Sequence, residues 1–314
     1  MSVDPQPRWC IAGNGAIGMS LAHRLQQQSV PVTLLTRDDL GARLSLTYQP
    51  IEGDPVEWTC EARSTPDGRP IDHLVIATKS AAVPEVLDTW SDSLAPCAVV
   101  YLLQNGIRFD APPLPASTHA LHVVNGGFTA YLAAPDHVVQ SAMKPIWIGD
   151  EAGDPMPPEL KRPLDLLNAS GFRAQWTRSI MRLRWRKAAV NTVLNTQAVV
   201  YDCDNGSLLS HPPAIKDTRL MCEELGAVFE SSGIDLTGDQ LLEATREVME
   251  STARNICSTL QDHRSGLTTH ELDHITLPLL ERARRQAVPT PRCEALYAEV
   301  TRRFGDNAHR STTR

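Results

Sequence analysis

The sequence lacks most of what would make its chemistry obvious. Its seven cysteines, Cys10, Cys60, Cys97, Cys203, Cys222, Cys257 and Cys293, are dispersed over 314 residues with no C-x-x-C pair. An odd, scattered set is a poor basis for a disulfide framework or a zinc site. No cluster of carboxylates suggests a metal, and His263, His270 and His274 read as loop and surface histidines. Excess positive charge is missing as well. A formal net charge of −7 argues against general affinity for nucleic acid or anionic membrane. There is no apolar run long enough to cross a bilayer and no signal peptide pattern, so a cytoplasmic protein without a membrane partner is expected. Internal repeats and low-complexity tracts are absent, and Ser170-Gly171 does not sit in a nucleophile elbow, which removes the case for a serine or cysteine hydrolase.

What is present is an ordinary globular composition, 42% hydrophobic and 21% charged. The chain is long for one core, so two domains are expected. Basic residues gather at 178–187 and 282–285, where local anion binding is allowed.

The first specific signal is "RWCIAGNGAIGMSLAHRLQQQSVPVTLLTR". "WCIAG" reads as a short buried strand, Ala16 to Gln28 as a helix, and "VPVTLLT" as a second strand. Gly13, Gly15 and Gly18 complete G-x-G-x-x-G between strand and helix, the context that a dinucleotide-binding turn requires. Gly13 permits the tight turn, Gly15 lets a pyrophosphate approach the backbone, and Gly18 lets the helix pack closely on the strand. Amides at the helix start would hold the anion, so "GNGAIG" (Gly13, Asn14, Gly15, Ala16, Ile17 and Gly18) is the candidate cofactor loop. The second strand ends in Thr36-Arg37 where an NAD site would present a carboxylate. Arg37 can stack on adenine or pair with a 2′-phosphate, which favours NADP. Asp38 and Asp39, just after Arg37, either weigh toward the carboxylate of an NAD site or only cap the following helix.

Further strands are expected at "HLVIATK", ending at Lys79, and "PCAVVYLLQNG", ending at Asn105-Gly106. Ligands bind at the carboxyl ends of such strands. Lys79 there is either functional or simply exposed, and Asn-Gly is equally an ordinary turn. "HALHVVNGG" and "HVVQSAMKPIWIGD" read as two more strands joined by "FTAYLAAPD", then a helix in "MPPELKRPLDLLNASG" and a last strand in "FRAQWT". From about Ser179 the spacing is helical, with helices expected at 179–200, 212–232, 238–261, 268–287 and 291–304 and a frayed tail from Gly305. Strands first and helices second imply two domains, residues 1–178 and 179–314, with substrate bound in the cleft between them.

In the helical half, Lys187, Asn191 and Asn195 recur every four residues and share one helix side. Spacing alone leaves them as either a solvated stripe or a ligand-holding row. Asparagine gains little on an exposed helix, but its amide donates and accepts in one place. Asn255 and Ser258 end one helix. Thr268-x-x-Glu271 reads as a capping box, which would explain Glu271 without chemistry.

Taken together, "GNGAIG", "ATKS", "LLQNGI", "GGFTAY", "WRKAAVNTVLN", "DCDNGSL", "NICSTLQD" and "THELDHI" in this order resemble the ketopantoate reductase (2-dehydropantoate 2-reductase) family along most of the chain. The resemblance implies a Rossmann domain followed by an all-α domain like the C-terminal domain of 6-phosphogluconate dehydrogenase. It also implies NADPH-dependent reduction of 2-dehydropantoate to (R)-pantoate, a step toward pantothenate and coenzyme A. Lys187 then matches the general acid and Glu271 the acidic residue near substrate hydroxyl and lysine. Asn191 and Asn195 match substrate-binding asparagines, Asn105 the asparagine of the "NG" turn, and Ser258, beside Asn255, a serine at the substrate carboxylate. Arg37 matches the arginine at the 2′-phosphate and Lys79 a lysine near the nicotinamide. Two departures stand out: Thr276-Leu277-Pro278 replaces a usual "NG", and Arg292-Cys293 replaces an asparagine after "PTP". They bear on which 2-oxo acid is the substrate. A paralogue acting on another 2-oxo acid and a non-catalytic NADP-binding sensor are the competing readings. Assembly is left open, a homodimer being allowed.

Overall fold

The computed structural model describes residues 6–107 and 114–311. It divides into a sheet unit, residues 1–104 with 111–181, and a helical unit, residues 105–110 with 182–314. An N-terminal α/β sheet is thus followed by an all-helical region.

The sheet unit starts where the apolar runs are purest. Strands β1 (Trp9–Ala12) and β2 (Val32–Leu35) flank helix α1 (Ala16–Gln26) in sequence, and both strands are buried throughout. Continuous burial is the mark of parallel strands covered on both faces. Strands β3 (Arg43–Gln49) and β4 (Val56–Arg63) follow, then β5 (Ile71–Ile76), a short 3-10 turn at Ser80–Ala82, helix α2 (Val83–Trp90) and β6 (Leu94–Leu102). Next come β7 (His119–Asn125), β8 (Thr129–Ala134), β9 (His137–Ala142), β10 (Ile146–Gly149), helix α3 (Lys161–Ala169) and β11 (Ala174–Trp176). All eleven join one sheet in the order β11-β10-β7-β6-β5-β1-β2-β4-β3-β9-β8. β1 lies between β2 and β5 and is parallel to both. The connections therefore leave β1 in opposite directions, which opens a crevice at its carboxyl end.

Two cores cover the sheet. Met19, Leu21 and Leu25 of α1 pack with Trp9, Ile11 and Leu34 on one side. On the other, Val83, Leu87 and Trp90 of α2 pack with Cys10, Leu74 and Val100. Two histidines are built into this unit. His23 stacks on Tyr48 with ring centroids 4.1 Å apart, and His73 on Trp9 at 4.2 Å.

Several expectations are corrected here. β3 and β4 had no counterpart in the strand pattern, and "FTAYLAAPD" is itself strand β8 rather than a connection. β8 is the sheet's edge and mostly exposed, so it is held by its ladder to β9 and not by burial. The single strand expected over "HVVQSAMKPIWIGD" is two, because β9 pairs with β3 and β8 while β10 pairs with β7 and β11. Pro145, which has no amide to give a ladder, lies between them.

In the helical unit the elements are α4 (Ile180–Tyr201), α5 (Pro212–Ser231), α6 (Gly238–Ser251), α7 (Ser258–Arg264), α8 (Leu272–Arg285) and α9 (Pro291–Ser311). The helix expected over 238–261 is broken at 252–257. The "DCDNGS" segment explains the break, since the Asn205 amide donates to the Asn255 carbonyl at 3.1 Å and the Gly206 amide to the Ala253 carbonyl at 2.9 Å. Those carbonyls therefore serve a neighbouring segment instead of a longer helix. From Gly305 to Ser311 the tail expected to be frayed is helical, part of α9, and the rest of that expectation lies outside the described residues. Phe304 is 1% exposed, and the Asn307 side chain donates to the carbonyls of His263 and Leu267.

Candidate functional site

The β1–α1 turn fits a dinucleotide. Gly13 has φ +115°, a left-handed conformation that a side chain would strain. At Gly18 an added Cβ would lie 2.0 Å from the Gly13 carbonyl oxygen, so only glycine lets the helix close on the turn. Gly15, in contrast, has open space where its Cβ would be, and it heads α1 with no side chain capping the first amides. Uncapped amides at a helix start beside open space form a cradle for an anion. The adjoining cavity of about 520 Å³ is walled by Gly13, Asn14, Thr36, Arg37, Thr78 and Lys79. Lys79 and Arg37 thus share a wall with the glycine turn. Ala16 and Ile17 turn their side chains toward the core, leaving their backbones for the cradle. Arg37 is 78% exposed and 3.8 Å from the Asp38 carboxylate. The Thr36 hydroxyl donates to the Asp38 backbone carbonyl, and Asp38 lines the same cavity as Arg37.

In the helical unit, α4 is nearly enclosed. Trp185, Ala188, Ala189, Val190 and the run from Thr192 to Val199 are all buried. Lys187 and Asn191 are half-buried, and Asn195 is 6% exposed. Among the described residues, neither asparagine side chain makes a hydrogen bond. Neither amide is sealed off from its surroundings, so each stays open to a ligand or to water.

Glu271 is the residue before α8, half-buried, and its side chain does not cap the helix. The capping-box expectation fails because α8 begins at Leu272, three residues later than Thr268 would require. Lys187 and Glu271 come together electrostatically. Burial pushes the Lys187 ammonium down from its usual range to about 8, and the Glu271 carboxylate acts in the opposite sense. Asn255 and Ser258 are exposed at the α6–α7 break, Ser258 opening α7.

Asn105 leaves the end of β6 but groups with the helical unit. Pro278 lies inside α8 and has no amide for the His274 carbonyl four residues back. Gly106 takes that place, so close that a Cβ would stand 2.1 Å from the His274 oxygen. His270 and His274 stand four apart in sequence, but His270 is not the surface residue expected. Its side chain is 4% exposed, packed on Phe304 at 4.8 Å. No group of three or more metal-ligating side chains occurs among the described residues, and the seven cysteines are unpaired. No helix of the described residues is long and apolar enough to cross a membrane.

Comparison with known proteins decides the family. The ketopantoate reductase PanE/ApbA profile matches residues 9–153, and the ketopantoate reductase PanE/ApbA C-terminal profile matches 179–303. A 2-dehydropantoate 2-reductase of Yersinia pestis is 30% identical over 236 residues, 74% of each chain. The chain belongs to the ketopantoate reductase family. Another relative, the 2-dehydropantoate 2-reductase of Salmonella typhi, is 39% identical over 128 residues, so the chain aligns with only 41% of that protein's length. Among solved structures, D-mandelate dehydrogenase with NADH and anilino(oxo)acetate has a TM-score of 0.84 at 20% identity, covering 96% of this chain and 99% of that one.

Within this ketopantoate reductase family member, Thr276, Arg292 and Cys293 of the two departures are engaged by other residues of the helical unit. The Thr276 hydroxyl, fully buried, meets the buried Thr192 hydroxyl at 3.0 Å. Arg292 donates through Nε to Asp217 at 2.8 Å, and Tyr201 donates to the same carboxylate. The Arg292 and Cys293 amides both donate to Glu224, and Cys293 is fully buried. Sequence reasoning also missed Asn205, read only as part of a break. It is 5% exposed and holds Thr252 through Nδ2 at 2.8 Å, thereby shaping the segment that carries Asn255. The signal was an Asn-Gly pair whose glycine approaches Ala253, with no room for a Cβ.

Proposed function

We propose that the protein reduces 2-dehydropantoate to (R)-pantoate with NADPH. The observation that carries this reading is Lys187, half-buried on α4 and paired electrostatically with Glu271. A nicotinamide held by the sheet unit would supply hydride to the C2 carbonyl. Negative charge then develops on the carbonyl oxygen, and the Lys187 ammonium stabilises it and delivers the proton that completes the hydroxyl. Glu271 opposes the loss of that proton to burial. Asn191 and Asn195 offer unengaged amides to the substrate oxygens, while Asn105, Asn255 and Ser258 hold the remainder. The sheet unit, with Gly13–Gly18, Lys79 and Arg37, is the nucleotide-binding part, and the helical unit carries proton transfer.

Arg37 supports NADPH over NADH, because its guanidinium is the charge available for a 2′-phosphate at this strand end. In the Arg37→Ala variant KM for NADPH rises about tenfold, the lower range for a charge-assisted bond at so exposed a side chain. KM for NADH stays unchanged. Steady-state kinetics with both cofactors measure this, and an unaltered NADPH preference would remove Arg37 from the site.

The second reading is a reductase of another 2-oxo acid, favoured by the likeness to D-mandelate dehydrogenase. NADPH oxidation with a panel of 2-oxo acids separates the two. Under the first reading 2-dehydropantoate is preferred over its analogue without the 4-hydroxyl. The internal engagement of Thr276, Arg292 and Cys293 supports the first, since these departures serve packing.

A further inference from the structure

Thr192 follows Asn191 on α4, and Thr276 lies five residues beyond Glu271. The Thr192–Thr276 pair is separated by 84 residues in sequence, the same interval as between Lys187 and Glu271. Each threonine is thus five residues beyond its charged counterpart, about 7.5 Å further along a helix axis. The hydrogen bond ties α4 to α8 about 1.4 turns beyond Lys187 and Glu271, so a slip of either helix alters the offset between the two charged groups. Both hydroxyls are 0% exposed. Neither can find water if the other is lost, so sliding of the helices leaves a buried polar group unpaired. The rest of α4 is held by other partners. Gln197 donates to Thr218 of α5, and Arg303 of α9 donates to the Val199 carbonyl. Among these bonds, Thr192–Thr276 lies closest in sequence to both Lys187 and Glu271.

We propose that the buried Thr192–Thr276 hydrogen bond is a register pin that sets Lys187 opposite Glu271, making both threonines positioning residues for proton transfer. The proposal rests on the reductase reading of this site. It also gives Thr276, where relatives commonly carry the asparagine of "NG", a role that does not involve touching substrate.

The test uses the full chain in 2-oxo acid reduction. Thr276→Val keeps shape and removes the hydroxyl, and Thr192→Val removes the same bond from its other end. Each lowers kcat about ten- to a hundredfold, the scale of a misplaced catalytic group, with KM for NADPH unchanged. The double variant is no worse than the poorer single one, because the two hydroxyls act as one bond. Thr276→Ser, which keeps the donor, returns turnover to the wild-type level. Wild-type kcat in both valine variants overturns the pin, and so does a serine variant as slow as valine, which would show methyl packing to be the cause. If either valine variant does not fold, the other valine variant and the serine variant decide. Lys187→Ala measured alongside keeps the two ideas apart. Wild-type turnover there defeats the reductase reading itself, whereas its loss together with unaffected valine variants defeats only the pin.

Discussion

Turnover of the Lys187→Ala variant is expected to fall by about 10²–10⁴-fold, the contribution of a positioned general acid, while NADPH affinity stays near the wild-type value. The glycine turn, Lys79 and Arg37 wall a cavity in the sheet unit, and Lys187 belongs to the helical one. Loss of the ammonium therefore touches the proton and not the nucleotide. The pH dependence has a definite sign. With Lys187 titrating at about 8, reduction needs the charged form and declines as pH rises through that value. Oxidation of the hydroxy acid needs the neutral amine as base and increases over the same interval. Opposed pH profiles in the two directions, both absent from the variant, are the expected record. Wild-type turnover in Lys187→Ala would end the assignment.

A second large effect concerns stability in acid. Burial, aided by the neighbouring Arg24 charge, lowers His23 from 6.5 to about 4. Burial also lowers His73 to about 4, with Asp72 acting weakly in the other direction. A histidine kept neutral by the fold stabilises it above the unfolded value, because only the unfolded chain takes up a proton as pH falls below 6.5. That stabilisation is lost progressively until the folded form also protonates near 4. At pH 5, about 1.5 units below the unfolded value at 1.36 kcal/mol per unit, each histidine forfeits about 2 kcal/mol. Urea unfolding of the sheet unit should therefore weaken by about 4 kcal/mol from these two groups between pH 7.5 and 5. Replacing both with glutamine, which stays neutral, should flatten that slope whatever the absolute stability of the variant. An unchanged slope would show that neither imidazole is held neutral.

Parts of this structure were legible in sequence because local and tertiary signals agree. In β1–α1–β2 the apolar runs, the glycine spacing and the helical period all point the same way, and the structure follows them. The row of Lys187, Asn191 and Asn195 was visible as a pattern, but spacing could not say whether it faced water. In the structure Lys187 and Asn191 are half-buried and Asn195 is buried, a gradation that a four-residue repeat does not encode. β8 was invisible because a small-residue edge strand owes its conformation to pairing and has no apolar alternation. The α6–α7 break was hidden since its cause, the docking of Asn205-Gly206, lies some fifty residues away. Glu271 illustrates the opposite hazard. Thr268-x-x-Glu271 satisfies a local rule that the helix start ignores, and the rule would have explained away a candidate catalytic group. Thr192 carries no marker at all, and Thr276 stood out only as a departure, for a threonine inside a helix looks the same paired or exposed.

The turn after β6 bears on how this chain can be dissected. Asn105 and Gly106 follow β6 in sequence, yet Gly106 lies against the His274 carbonyl that Pro278 leaves without its helical donor, and the next residue, Ile107, is 2% exposed. A fragment ending at residue 181 would keep the glycine turn and every strand, but it would carry Gly106 without the His274 carbonyl and Ile107 without the helical unit it groups with. Such a fragment should bind nucleotide while exposing a new apolar spot, and Ile107→Ser is the repair to make in it.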